Sequence, residues 1–197
     1  MDMTLFLALL TFAFVTSVTP GPNNMMLLAS GANFGFRRTL PHMVGVSFGH
    51  SFLVFMAGLG LATLFAKLPV LRQVLIVISV GYMLWLAWKI AHAAAPKARD
   101  TDATPLTFWQ AVAFQWVNPK GVIMALGAQT NYAQGEGWAA AILVAVGFLS
   151  MNMPAITLWA WMGTELRRFL TNTRRLQMFN WTMATLLVAS LVPILFH

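Results

Sequence analysis

The chain has no cysteine among its 197 residues and only five carboxylates, Asp2, Asp100, Asp102, Glu136 and Glu165. The first absence excludes disulfides, thiolate metal sites and thiol relays. The second argues against a path for divalent cations, which oxygen anions hold. Charge of either sign is scarce at 9% of residues, where a soluble domain carries about a quarter. Catalytic motifs are missing too: the sequence has no His-Glu-x-x-His pair, no Gly-x-Ser-x-Gly elbow, no P-loop and no acidic pair inside an apolar run. An enzyme is therefore not expected, nor a metal site.

Apolar residues are what the chain has in quantity, 59% of the total, with a mean hydropathy of +0.73. Each membrane crossing needs about 20 apolar residues, so a single transmembrane domain over 1–197 holds six spans with no room for a soluble domain. They are predicted at 4–32, 40–66, 70–94, 107–133, 138–164 and 176–196. The formal charge of +7 would suit nucleic acid, but the basic residues sit between apolar runs. No nucleic-acid partner is expected, and the lipid bilayer is. Asp2 stands where a signal peptide is positive, and the apolar run from Thr4 is longer than a signal core. The reading is a retained first helix.

The polar stretch 95–105, with Pro96, Lys97, Arg99, Asp100 and Asp102, divides the chain. Repeat 1 covers about 1–94, a cytoplasmic linker about 95–106, and repeat 2 about 107–197. Three spans per half force the halves into opposite orientations, so the expected fold is an all-α integral membrane protein made of two inverted three-helix repeats. Arg37, Arg38, Lys89, Lys97, Arg99, Arg167, Arg168, Arg174 and Arg175 then share one face, leaving Lys67 and Arg72 on the other. That asymmetry places the first face inside and both termini, with the turn at 134–137, outside. A five-span arrangement with a re-entrant first helix is the main competitor.

Helices 1 and 4 of this scheme are broken, by Thr19-Pro20-Gly21-Pro22-Asn23-Asn24 and by Asn118-Pro119-Lys120-Gly121. A proline inside a helix removes a backbone hydrogen bond, and lipid offers no water to replace it. Matched interruptions in two halves point to a transporter's binding site. Pro20 and Pro22 end one helical segment, and Gly21 permits unusual backbone angles. Asn118 fits an N-cap and Pro119 a first turn. Each break then exposes a half-helix N-terminus, which carries partial positive charge and free N–H donors suited to a carboxylate.

Lys120 is the only basic residue well inside a span, where its charge is costly. It either pairs with a substrate carboxylate, carries a proton, or snorkels to the interface. His50, beside Gly49 in the second span, either titrates or packs against a hydrogen-bond partner. His42 and Glu136 lie near span ends, where interfacial roles suffice. Gln115, Gln129, Asn131 and Asn152 add amides to the second half, some of them serving freed backbone. Tyr82, Trp85 and Trp88 recur at helical spacing; Trp88 suits an aromatic belt, while the deeper Tyr82 hydroxyl needs a partner. Gly45-x-x-x-Gly49 with Gly58 and Gly60 permits close helix packing. Packing within one chain is preferred over a homodimer contact, which stays possible.

Thr19-Pro20-Gly21-Pro22-Asn23, Gly35-Phe36-Arg37-Arg38, Gly81-Tyr82-Met83-Leu84-Trp85-Leu86-Ala87-Trp88-Lys89 and Asn118-Pro119-Lys120 together resemble the LysE/RhtB family of bacterial amino-acid exporters. The resemblance covers nearly the whole chain and is strongest to the branch of cysteine/O-acetylserine and homoserine/threonine exporters. It departs in the last span, which lacks the customary glycines, and in the segment 124–129. The resemblance implies a multi-pass protein of the bacterial cytoplasmic (inner) membrane that exports amino acids or derivatives by proton antiport, with no bound cofactor. Pro20, Gly21, Pro22, Asn23, Asn24, Asn118, Pro119, Lys120 and Tyr82 are the substrate-binding candidates, and Lys120 and His50 the proton-coupling candidates. The alternatives are a membrane enzyme or assembly factor acting on a lipid-like substrate, and an ion exporter, for which thioethers such as Met25, Met26 and Met124 are the available soft ligands.

Overall fold

The computed structural model describes residues 1–61, 64, 67–93, 104–134 and 137–192. Among them the chain is helical throughout: α1 (Met3–Val18), α2 (Pro22–Phe34), α3 (Phe36–Met56, continued by a π-helical turn Ala57–Leu61), α4 (Pro69–Ala91), α5 (Phe108–Val117), α6 (Pro119–Tyr132), α7 (Trp138–Leu166) and α8 (Thr173–Ala189). Lys97, Arg99, Glu136, most of the linker and the end of the predicted last span lie outside the described residues.

Both predicted breaks are present. α1 and α2 meet at 57° across Thr19–Gly21, and α5 gives way to α6 at Asn118. Three helices, Phe36–Leu61, Gln73–Ala91 and Trp138–Leu166, are each long and apolar enough to cross a membrane, and a fourth span results if the bent α1–α2 pair counts as one. Among the described residues the count is thus three or four, where the sequence pattern suggested six. α5 and α6 have 10 and 14 residues, α8 has 17, and at about 1.5 Å per residue none reaches across a core about 30 Å thick.

The two long helices α3 and α7 form the centre. They pack on one another; α7 also packs on both parts of the first broken pair, and α3 on both parts of the second. Leu9 and Ala13 of α1, Leu53 and Val54 of α3, Ala125 and Ala128 of α6, and Val144 and Phe148 of α7 make one buried cluster. α4 and α8 pair at the side, around Met83, Leu86, Ala184 and Leu187. Large apolar side chains such as Trp109, Ile123 and Val77 remain exposed on the outside, as expected of a surface that meets lipid.

Between helices in lipid, close packing of small residues replaces hydrophobic drive. A Cβ on Gly45 would strike the carbonyl of Phe108, and one on Gly49 would approach Val112. These glycines thus serve packing within the chain, of α3 on α5. The tighter seam escaped the sequence reading: a Cβ on Gly31 would collide with the carbonyl of Ala160, and one on Gly163 with that of Leu28. α2 and α7 therefore touch backbone to backbone. Gly60 departs from the packing expectation, with φ +106 and nothing among the described residues within 4 Å of its would-be Cβ; it shapes the π-helical turn instead.

At one end of the molecule, the turn at Gly35 between α2 and α3 lies against the guanidinium of Arg167 at the end of α7. Asn33 and Asn180 exchange amide hydrogen bonds of 2.8 and 3.2 Å, and Asn180 donates also to the Ala93 carbonyl after α4. Arg37, Arg38, Lys89 and Arg167 belong to these helix ends.

Candidate functional site

The first break frees carbonyls at the end of α1 that have no helical partner. Side chains from three other helices take them. Asn24 Nδ2 donates to the carbonyls of Ser17 and Thr19, both at 2.8 Å, and Trp159 Nε1 of α7 donates to that of Val18 at 3.0 Å. Lys120 Nζ of α6 donates to the Thr19 carbonyl at 2.6 Å, the Thr19 hydroxyl at 2.9 Å and the Pro20 carbonyl at 3.3 Å. A cation at a helix C-terminus also complements the helix dipole.

A second contact crosses between the motifs in the other direction. Asn23, the second residue of α2, exchanges hydrogen bonds with Gln115 of α5: Asn23 Nδ2 donates to Oε1 at 2.8 Å and Gln115 Nε2 to Asn23 Oδ1 at 3.1 Å. Lys120 is likewise the second residue of α6. Each broken helix thus reaches across to the break in the other half with the side chain at the same helical position.

Around this crossing lies a cleft with about 320 Å³ of atom-free space, part of it open to the outside. Gly21, Asn23, Asn24, Asn118, Lys120 and His50 line it, all residues singled out from the sequence. Pro20 reaches Lys120 through its carbonyl, while Pro22 and Pro119 occupy the first turns of α2 and α6. Neither helix start has a side-chain cap. That corrects one expectation: Asn118 occupies the N-cap position of α6 but does not cap it, and its Oδ1 is buried with no partner among the described residues. Both ring nitrogens of His50 and the Ser17 hydroxyl are in the same condition. Buried polar atoms are nearly always hydrogen-bonded, so four of them, on three residues of one wall, mark a place for a polar guest.

Tyr82 is elsewhere. Its ring lies against Trp85 and Phe114, with centroids 5.4 and 5.7 Å away, and it does not line this cleft. His42 is not interfacial either, being 1% exposed. Gln129 serves the backbone, donating to the carbonyls of Val54 and Ala141 at 2.9 and 3.1 Å. Thr16, Ser17, Gly121, Met124, Asn152 and Ile156 complete the lining; of these, Gly121 in the second break, the Met124 thioether and the Asn152 amide carried a sequence signal. Among the described residues no group of three His, Cys, Asp or Glu is placed to hold a metal ion.

A family model described as LysE type translocator matches residues 14–190. The chain is 32% identical to the cysteine/O-acetylserine efflux protein of Klebsiella pneumoniae, over 98% of each chain. It is 31% identical to the proteins of the same name from Escherichia coli K12 and Shigella sonnei, over the full length of both partners. No solved structure matches. These relatives are transporters, not enzymes, and the long apolar helices fit a multi-pass membrane protein. A family match over most of the chain, and relatives aligned from end to end, establish that the chain belongs to the LysE family of translocators.

Proposed function

We propose that this protein exports small amino acids or their derivatives across the bacterial cytoplasmic membrane by proton antiport, through the cleft where the two broken helices meet. The observation that carries this reading is the convergence of Gly21, Asn23 and Asn24 from one break with Asn118 and Lys120 from the other, beside the unpartnered His50. The efflux proteins it resembles are named for cysteine and O-acetylserine, small zwitterions that suit a cleft lined by amides and one ammonium.

In this reading the domain spans 1–197 as two inverted repeats, with both termini outside and the Arg37, Arg38 and Arg167 end inside. The crossed contacts of Asn23 and Lys120 support the repeat, since each occupies the same position in its half. Lys120 acts as a latch. Without substrate its ammonium holds the carboxyl end of α1; a substrate carboxylate competes for that ammonium and takes up the uncapped N–H groups of α2 and α6. Losing the bond to α1 lets the halves rock around the site. His50, buried and without a partner, receives the proton as the substrate leaves. Asn118 and Asn152 contact the polar atoms of the substrate. Tyr82, packed apart from the cleft, has no part in this mechanism.

The test is efflux of labelled O-acetylserine from preloaded proteoliposomes, for the wild type, Lys120→Met and Asn118→Ala, with and without a protonophore. Export that collapses with the protonophore and is lost in both variants is the expected result. Export that is insensitive to the protonophore removes the antiport step, and undiminished export by both variants removes the site.

A further inference from the structure

A second cleft lies at the other end of α2. Ten residues separate Asn23, in the first cleft, from Asn33, in the second, a distance of about 15 Å along the helix. This cleft has about 510 Å³ of atom-free space, part of it open to the outside. Its walls are the carboxyl half of α2, the start of α3, the end of α4 and the residues 104–106 before α5. It sits at the end of the molecule that carries Arg37, Arg38 and Arg167.

Three features show more than a packing gap. His42 lines the cleft, is 1% exposed, and neither of its ring nitrogens has a partner among the described residues. A buried imidazole with both nitrogens unserved is costly unless a guest supplies the bond. Ser30 has a free acceptor: the Thr39 hydroxyl donates to the Gly35 carbonyl at 2.9 Å, so Ser30 must donate to Thr39 across their 2.9 Å contact, leaving its own lone pairs open. Lys89 lines the cleft and lies 5.2 Å from the centroid of the Trp85 ring, with no carboxylate paired to it among the described residues. The rest of the wall, including Met26, Leu86 and Leu106, is apolar.

We infer that this cleft is an intake subsite, which holds the exported amino acid by its carboxylate at Lys89, its amino group at His42 and Ser30, and its side chain against Met26, Leu86 and Leu106. The inference rests on the export reading above and adds a second bound molecule per chain. Acceptors, a cation and an apolar wall together suit a zwitterion with a short apolar or acyl side chain. Of His42 and Ser30, a lone anion could take only the His42 N–H, leaving its acceptor nitrogen and the Ser30 lone pairs unused. Because α2 lines both clefts, a molecule bound at its carboxyl end is positioned to move along it to the site at its amino end.

The experiment counts labelled O-acetylserine bound to the purified full-length protein by equilibrium dialysis, and follows its export in proteoliposomes. Two molecules per chain are expected for the wild type and one for His42→Leu and Lys89→Met, which remain exporters with a half-saturating internal concentration raised about tenfold, the effect of one lost hydrogen bond to a charged group. Leu86→Trp, which fills the cleft from an apolar wall without removing a polar group, gives the same loss and separates occupancy from misfolding. One molecule per chain in the wild type, or two retained in all three variants, overturns the subsite and leaves the exporter standing. Neither binding nor export by the wild type overturns both.

Discussion

Replacing Lys120 by Met removes the ammonium while keeping an unbranched chain of similar length and nearly equal helix propensity, so what is lost is the contact with α1. Two of its three bonds are well formed, at 2.6 and 2.9 Å, and the third, at 3.3 Å, is weak. A hydrogen bond to a charged group contributes about 1.5–3 kcal/mol net, but Lys120 is half-buried and Thr19 and Pro20 are exposed, so water can serve the abandoned oxygens. Exposed ionic contacts contribute about 1 kcal/mol or less, and the expected cost of the variant falls between the two limits, at about 2 kcal/mol. For a chain of this length that lowers the melting temperature by about 4–8 °C. Thermal unfolding in detergent measures it. Thr19→Val removes the hydroxyl that accepts from Lys120 and donates to the Thr16 carbonyl at 2.8 Å, and a double-mutant cycle with Lys120→Met isolates the Lys120 bond from the other, with an expected coupling of about 1 kcal/mol. An unchanged melting temperature for Lys120→Met, or additive effects in the cycle, would refute the latch. Lys120→Arg keeps the charge and is expected to retain most of the stability while losing export, because the planar fork cannot reproduce the convergence of three oxygens on one nitrogen.

Five further variants test the other contacts and the glycine packing. Gln115→Leu strands the Asn23 amide and should cost about 1–3 kcal/mol in unfolding experiments, whereas Asn23→Leu together with Gln115→Leu removes both partners and should recover part of that loss. His50→Leu is expected not to lower the melting temperature, since His50 has no hydrogen bond among the described residues to lose, yet to abolish protonophore-sensitive export; a destabilised variant would show that the imidazole is structural. Gly163→Leu would drive a side chain into the Leu28 backbone and should yield no monodisperse protein in detergent. Gly81→Ala in α4, with nothing among the described residues within 4 Å of the added Cβ, should be neutral or stabilising by up to about 1 kcal/mol, as size-exclusion profiles and melting curves would show.

The membrane class and the two helix breaks were readable from the residues alone, because both follow from local chemistry. A chain with few charges and long apolar runs has one place to go, and Pro20, Pro22 and Pro119 deny the backbone its hydrogen bonds whatever surrounds them. For the same reason Gly21, Asn23, Asn24, Asn118 and Lys120 stood out in the sequence, and the fold brings them to one cleft. Span number was less secure, since α5, α6 and α8 are short and their role depends on how they are arranged.

Which polar atoms are used and which are left open is decided by partners far away along the chain. Lys120 meets Thr19 across 101 residues, Asn23 meets Gln115 across 92, and Trp159 reaches Val18 across 141; no spacing rule connects such pairs. His50 had no visible partner in the sequence and has none among the described residues, but only the packing of α3 against α6 and α7 puts it in the wall of the cleft. Tyr82 shares a motif with Lys89 yet turns toward Phe114, because helical spacing tells which residues share a face and not what that face meets. The same limit hid the contact of α2 with α7: Gly31 and Gly163 belong to no common motif, and their pairing exists only where two backbones come close enough that a Cβ on either has no room.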